Sequence, residues 1–300
     1  MDAWIFITIA AALAQTIRFM AQKQLKTAGL STGGATFARF IYSAPLVAVL
    51  ILLYAQVSAQ PLPGVNGAFW AYALSGGLTQ ILATMCVVAI FSHRNFAVGI
   101  TFKKSEVVMT AVASYLILGE GVGWIGGLAI GIGMIGVLIL SDPPGGEGTW
   151  STRIFNRSAG LGIASGVFFS ISAVGYRGAS LSLESGDTVL RAGVTLAIVT
   201  ASQTLAMALW LAWRERGQIM AVMRAWRVAG VVGIMSMIGS FCWFTAFTLQ
   251  NVAYVNALGQ VELIFSIAAS ALFFKEKISR REYFGIAVLT VGILVLIFLR

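Results

Sequence analysis

Ten apolar stretches follow one another along the chain, at about residues 4–22, 34–57, 68–92, 97–118, 122–141, 158–177, 190–213, 228–249, 254–273 and 282–299. Each is about the 20 residues that a helix needs to cross a hydrocarbon core. The separators are short and carry turn residues or charge, so none has room for a water-soluble domain. The predicted fold class is therefore all-α, a polytopic membrane protein of ten transmembrane helices. Composition agrees. The 300 residues are 58% hydrophobic and 10% charged, whereas a soluble domain is about half apolar and a quarter charged. A soluble fold of this length has no interior large enough for that apolar surface, and a bilayer does not require one.

The net charge of +9 would suggest a nucleic-acid partner in a soluble chain. Here most basic residues sit in the short connections, where topology charges belong, so no nucleic acid is expected. Cys86 and Cys242 each lie inside an apolar run, which argues against a disulfide framework or a zinc site. The first stretch, Trp4 to Met20, lacks a basic leader and a small-residue cleavage site, and reads as the first span rather than a signal peptide.

Residues 91–140 align with 247–296 at a constant offset of 156 and without a gap. Phe91 matches Phe247, Asn95 matches Asn251, Glu106 matches Glu262, Ser114 matches Ser270, Glu120 matches Glu276 and Gly136 matches Gly292. Cys86 matches Cys242 at the same offset, while Arg39 and Arg191 correspond only weakly, at offset 152. The chain thus reads as two units, residues 1–145 and 158–300, each of five spans. Five is odd, so the second unit enters the membrane upside down. Inverted repeats are a device of secondary transporters, with the substrate site near the midplane between the halves.

Connections after the odd-numbered spans hold thirteen Lys and Arg, and the other face only Arg177, Arg191 and Arg300. The positive-inside rule then places both termini outside the cytoplasm.

Two segments carry a resemblance: Lys104-Ser105-Glu106-Val107-Val108 leading to Leu118-Gly119-Glu120, and Gln260-Val261-Glu262-Leu263-Ile264 leading to Phe274-Lys275-Glu276. With the Gly-rich helix after Glu120, they resemble the drug/metabolite transporter superfamily in its ten-helix EamA-type form. The sequence departs from that pattern where Val107 and Leu263 replace a frequent proline, and in carrying Lys103 and Lys104 within the fourth span. The resemblance implies a site lined by spans one, three, four, six, eight and nine. It also implies both ends in the cytoplasm, opposite to the charge count.

Arg18, Arg39, Lys103, Lys104, Glu106 and Glu262 fall within spans. Facing lipid they would together cost upward of about 15 kcal/mol, so they must pair or face water. Lys103 and Glu106, at i and i+3, can pair on one helix face. Lys104 points about 100° away and needs another partner; it reads as a snorkelling lysine beside the structural Lys103–Glu106 pair or as a cavity cation for an anionic substrate group. Glu106 and Glu262 are repeat-related acids. Each can take up a proton in a wet interior, which suits proton coupling, or can tie two helices together. Gln15, Arg18 and Gln22 form one polar stripe on the first span; Arg39, nearer a span start, reads as an interfacial anchor. Spans three and eight offer matching faces, Gln80, Thr84 and Phe91 on one and Ser236, Ser240, Trp243 and Phe247 on the other, and Asn256 with Gln260 forms a polar face on span nine. Substrate-binding candidates are Arg18, Gln80, Lys104, Glu106, Trp243, Asn256, Gln260 and Glu262.

Gly131, Gly133 and Gly136 match G-x-G-x-x-G, but inside an apolar helix the dinucleotide reading fails. Gly123, Gly127 and Gly131 instead predict a close packing face, within the monomer or in a homodimer. Lys275, Lys277, Arg280 and Arg281 read as topology charges.

The expected function is secondary active transport of small organic metabolites such as amino acids or related carboxylates, by export across the cell (inner) membrane. Expected partners are a small-molecule substrate and the lipid bilayer; no cofactor or metal is implied. An intramembrane enzyme is poorly served. Asp2, Asp142 and Asp187 are the only aspartates and none is mid-span, and His93 is the sole histidine, at a loop. A channel would need a continuous polar pore, whereas the polar positions cluster.

Overall fold

The computed structural model describes residues 2–90, 103–141, 157–273 and 280–298, and among these it is helical with no strand. In chain order the helices are α1 (Ala3–Thr27), α2 (Thr32–Ile41), α3 (Ser43–Val57), α4 (Gly67–Ile90), α5 (Glu106–Leu118), α6 (Trp124–Ser141), α7 (Arg157–Leu181), α8 (Thr188–Arg214), α9 (Gln218–Arg224), α10 (Trp226–Leu249), α11 (Val252–Gly259), α12 (Glu262–Phe273) and α13 (Arg280–Phe298). Seven crossings are long and apolar enough by themselves, with α2 and α3 counted as one; α5, α6 and the α11–α12 pair are shorter apolar segments. Together they account for the ten spans. The first part of span four (97–102), the matched positions Phe91 and Asn95, His93, the mid-chain connection 142–156, and Lys275, Glu276 and Lys277 lie outside the described residues.

Three spans expected to be continuous are interrupted. Span two bends at Tyr42 between α2 and α3. Pro45 lies in the first turn of α3, where its missing N–H leaves the Ile41 carbonyl without a helical donor. Span four turns at residues 104–105 before α5 begins, and span nine turns at 260–261 between α11 and α12. These two breaks fall at repeat-related positions, since 104 and 260 differ by 156.

The apolar surface faces outward as much as inward. On α3, Leu46, Val49, Leu50, Leu52 and Leu53 are all exposed. In water such a band would drive aggregation; in a bilayer it is the solvated face.

The seam between α6 and α13, spans five and ten, shows the symmetry directly. Gly136 lies against Leu289 and Gly133 against Gly292. At offset 156 these two contacts are each other's images, because Gly136 maps to Gly292 and Gly133 to Leu289. Further along, Gly285 meets Ile139 and Leu140, so the repeat-related helices run antiparallel. The second half is therefore inverted about a pseudo-two-fold axis. The other large helix contacts obey the same exchange: α4 packs on α7 (spans three and six) as α10 packs on α1 (spans eight and one).

Of the predicted glycine face, only Gly123 meets a neighbour within the monomer, at Tyr254. Gly127 and Gly131 are exposed with nothing within 4 Å of an added Cβ, while Gly126 sits against Tyr254 and Gly133 and Gly136 against α13. Five glycines crowd this helix between Gly126 and Gly136, so several glycine stripes coexist and only one meets a neighbour within the monomer. Gly136→Ala, whose Cβ would lie 2.5 Å from the Leu289 backbone nitrogen, is expected to cost about 1–3 kcal/mol through overpacking. Gly131→Ala is expected to be neutral or to gain about 0.5–1 kcal/mol. Melting temperatures of the two purified variants in detergent check the contrast.

Candidate functional site

The breaks in spans four and nine set the geometry of the centre. Each places a glutamate, Glu106 or Glu262, in the first turn of a half-helix, where the helix dipole favours a negative charge. Lys103 Nζ lies 3.1 Å from Glu106 Oε2, the i,i+3 pair that the spacing predicts. Lys104 pairs with Glu262 across the two halves. Gln15 Nε2 donates to the other oxygen of Glu262, and Arg18 Nη2 donates to Gln15 Oε1 at 3.3 Å. One polar chain thus links spans four, nine and one.

Beside it is a cavity of about 50 Å³, lined among others by Gln15, Arg39, Gln80, Lys103, Glu106, Tyr176, Ser240, Trp243 and Asn256. It has room for only a few waters and is far smaller than the roughly 300–1,000 Å³ of small-molecule sites. Its wall is partly aromatic. Tyr176 stacks on Phe244 at 4.2 Å and Trp243 on Phe247 at 5.6 Å; Trp243 lies against Gly259, the last residue of α11, where a Cβ would collide with the indole. Tyr176 Oη donates to Gln80 Oε1 at 2.7 Å, and Gln203 Nε2 donates to the same oxygen at 3.1 Å. Lys103 Nζ lies 5.1 Å from the Phe169 ring centroid, within cation–π range.

Of the predicted site residues, the fold brings Gln80, Glu106, Trp243 and Asn256 to the cavity wall. Lys104 is not on that wall. It lies behind it, 1% exposed and held by Glu262, whereas its neighbour Lys103 lines the space. Lys104 instead points away from Glu106, as the helical spacing predicts, and meets Glu262 of the second half. Arg18 stands one residue back, behind Gln15. Gln260 borders a separate crevice of about 10 Å³ with Val107 and Ile130, and donates to the Asn256 carbonyl at 3.2 Å. Asn256 itself donates to Thr110 Oγ1 at 2.9 Å.

Sequence reasoning missed Arg39. Far from an interfacial anchor, it is 5% exposed and lines the cavity. Its Nη1 donates to Thr84 Oγ1 at 3.1 Å and its Nη2 to Ser240 Oγ at 3.3 Å. Thr84 and Ser240 are repeat mates at offset 156, so the guanidinium sits close to the pseudo-two-fold axis. The available signal was that pair of matched hydroxyls, on spans read as offering matching faces. Tyr176 and Phe169, on span six, had no sequence signal beyond their residue type. Span two thus joins the six spans that the resemblance implied.

Next to the wall residues Tyr176 and Phe247 is a clamp. Arg177 Nε donates to both oxygens of Glu120, at 2.9 and 2.7 Å, and Nη1 donates to the carbonyls of Phe247 and Gln250, the latter at 2.8 Å. Ser180 and Thr248 share a hydroxyl bond at 2.6 Å. The ends of spans four, six and eight are thereby gathered on the face that carries few basic residues.

A solved structure titled only "Crystal structure of protein" has a similar fold, with a TM-score of 0.74 over 99% of this chain and 97% of its own, at 16% identity. No curated protein matches the chain. The model of the EamA-like transporter family matches twice, over residues 2–142 and 157–298. Those two matches coincide with the antiparallel halves that meet at the α6–α13 seam, and on them the chain belongs to the EamA-like transporter family.

Proposed function

We propose that this multi-pass membrane protein is a secondary carrier, moving small organic metabolites such as amino acids or related carboxylates by alternating access across the cell (inner) membrane. The observation that supports this most is the cavity itself. It lies where inverted halves meet, is lined by charged side chains of the first and aromatic side chains of the second, and is too small for such a solute until the halves part. A carrier that opens to one side at a time needs such a contracted intermediate. Export is the direction that the family resemblance favours.

Counterflow in proteoliposomes tests the reading. Vesicles loaded with unlabelled amino acids or carboxylates are expected to accumulate the matching labelled compound transiently above its outside concentration. A channel would only equilibrate it, and an enzyme would convert it. Equilibration without overshoot, or conversion, would remove the carrier mechanism.

Orientation follows the charge count: both termini are proposed to lie outside the cytoplasm. A periplasm-active reporter fused after Arg300 is expected to be active. Activity of a cytoplasm-dependent reporter there instead would reverse the topology.

A further inference from the structure

The charges around the cavity do not balance. Arg18, Arg39, Lys103 and Lys104 bring four positive charges to the centre, Glu106 and Glu262 two negative ones, and these groups act on one another electrostatically. Each lysine has its glutamate. Among the described residues, neither arginine lies within ion-pair distance of a carboxylate. Arginine does not give up its proton, so the positive excess stays with the two guanidinium groups. Arg39 lies in the last turn of α2, where the helix end carries a partial negative charge. That is about half a charge and does not cancel a whole one. An uncompensated buried charge is costly, and the cavity has room for few waters to offset it.

Two further donors point the same way. Arg18 Nη1 and the Trp243 indole nitrogen are buried with no acceptor among the described residues. An indole N–H and a guanidinium can only donate, so what they lack is an acceptor.

We propose that the cargo enters with a net negative charge, as an organic carboxylate rather than a zwitterion, and that Arg39 on the pseudo-two-fold axis binds its carboxylate. A zwitterionic amino acid brings no net charge and would leave the excess as it is; a carboxylate reduces it. The aromatic wall of Tyr176, Phe244, Trp243 and Phe247 takes the apolar part of the same molecule, which disfavours a bare inorganic anion. The fork of Arg39 suits a planar carboxylate, and its present partners, two neutral hydroxyls, are weaker acceptors that a carboxylate displaces. This rests on the carrier reading and narrows its substrate class.

The test is a binding comparison on the full chain in detergent, read by thermal shift and titration, with 3-phenylpropionate, phenylalanine, 3-phenylpropionamide and succinate as probes. The expected result is that the acids bind at least about tenfold more tightly than the amino acid and the amide, as one charge-assisted bond implies. Arg39→Gln, which can still bond Thr84 and Ser240, is expected to remove that preference. Arg39→Lys is expected to keep the order with a several-fold loss. Equal binding of acid, amide and amino acid, no binding of either acid, or an acid preference that survives Arg39→Gln would each overturn the proposal. The wild-type comparison stands even if Arg39→Gln fails to fold. Counterflow of an amino acid beside failed acid binding would sink the charge inference alone and leave the carrier mechanism standing.

Discussion

Replacing Lys104 by methionine is expected to destabilise the protein by about 3–5 kcal/mol, the cost of leaving one member of a buried ion pair without the other. Lys104 is 1% exposed and Glu262 8%, so water cannot take the place of the lost ammonium. Gln15 still donates to Glu262 in the variant, but one neutral donor does not offset a full charge. The double replacement Lys104→Met with Glu262→Met removes both charges and is expected to recover much of the loss, because the desolvation cost of the pair goes with it. Melting in detergent across the double-mutant cycle gives the coupling between the two sites. If Lys104→Met melts like the wild type and loses only transport, the lysine belongs to the substrate rather than to Glu262.

Arg177→Ala is expected to cost about 2 kcal/mol. The side chains of Arg177 and Glu120 are 13% and 26% exposed, so water screens part of the pair and the effect falls below that at Lys104. What lifts it above an ordinary surface pair is that the same guanidinium also serves carbonyls at the end of α10, and those acceptors lose their donor at the same time. Arg177→Lys is expected to recover less than half, since one ammonium cannot fork onto the carboxylate and reach α10 together. Chemical unfolding of the three proteins checks the order. Equal stability of all three would mean that the clamp contributes nothing in solution.

Much of the architecture was legible because its causes are local. Length and polar separators mark the spans, and the offset of 156 places Glu106 opposite Glu262 in the repeat. The i,i+3 spacing of Lys103 and Glu106 was enough to pair them. The rest depended on where helices stop being helical. Val107 and Leu263 are not proline, so nothing in the sequence announced the turns before Glu106 and Glu262. The spacing separates Lys103 from Lys104 correctly but does not say which of the two meets the cavity and which meets Glu262. Arg39 was misread for a similar reason: its place depends on the bend at Tyr42 and on Thr84 and Ser240 arriving from distant spans. A helix with several glycine stripes, such as α6, does not reveal which one another helix of the same chain will meet.

The matched interruptions in spans four and nine bear on how the molecule can move. A crossing made of two short rods can swing at its joint while the outer ends stay in place. Both joints sit beside the Lys104–Glu262 pair, and one element flexing at Gln260 would carry Asn256 and the Trp243–Gly259 contact with it. Widening the centre at span nine therefore needs only α11 to lean away, without tipping all five helices of the second half.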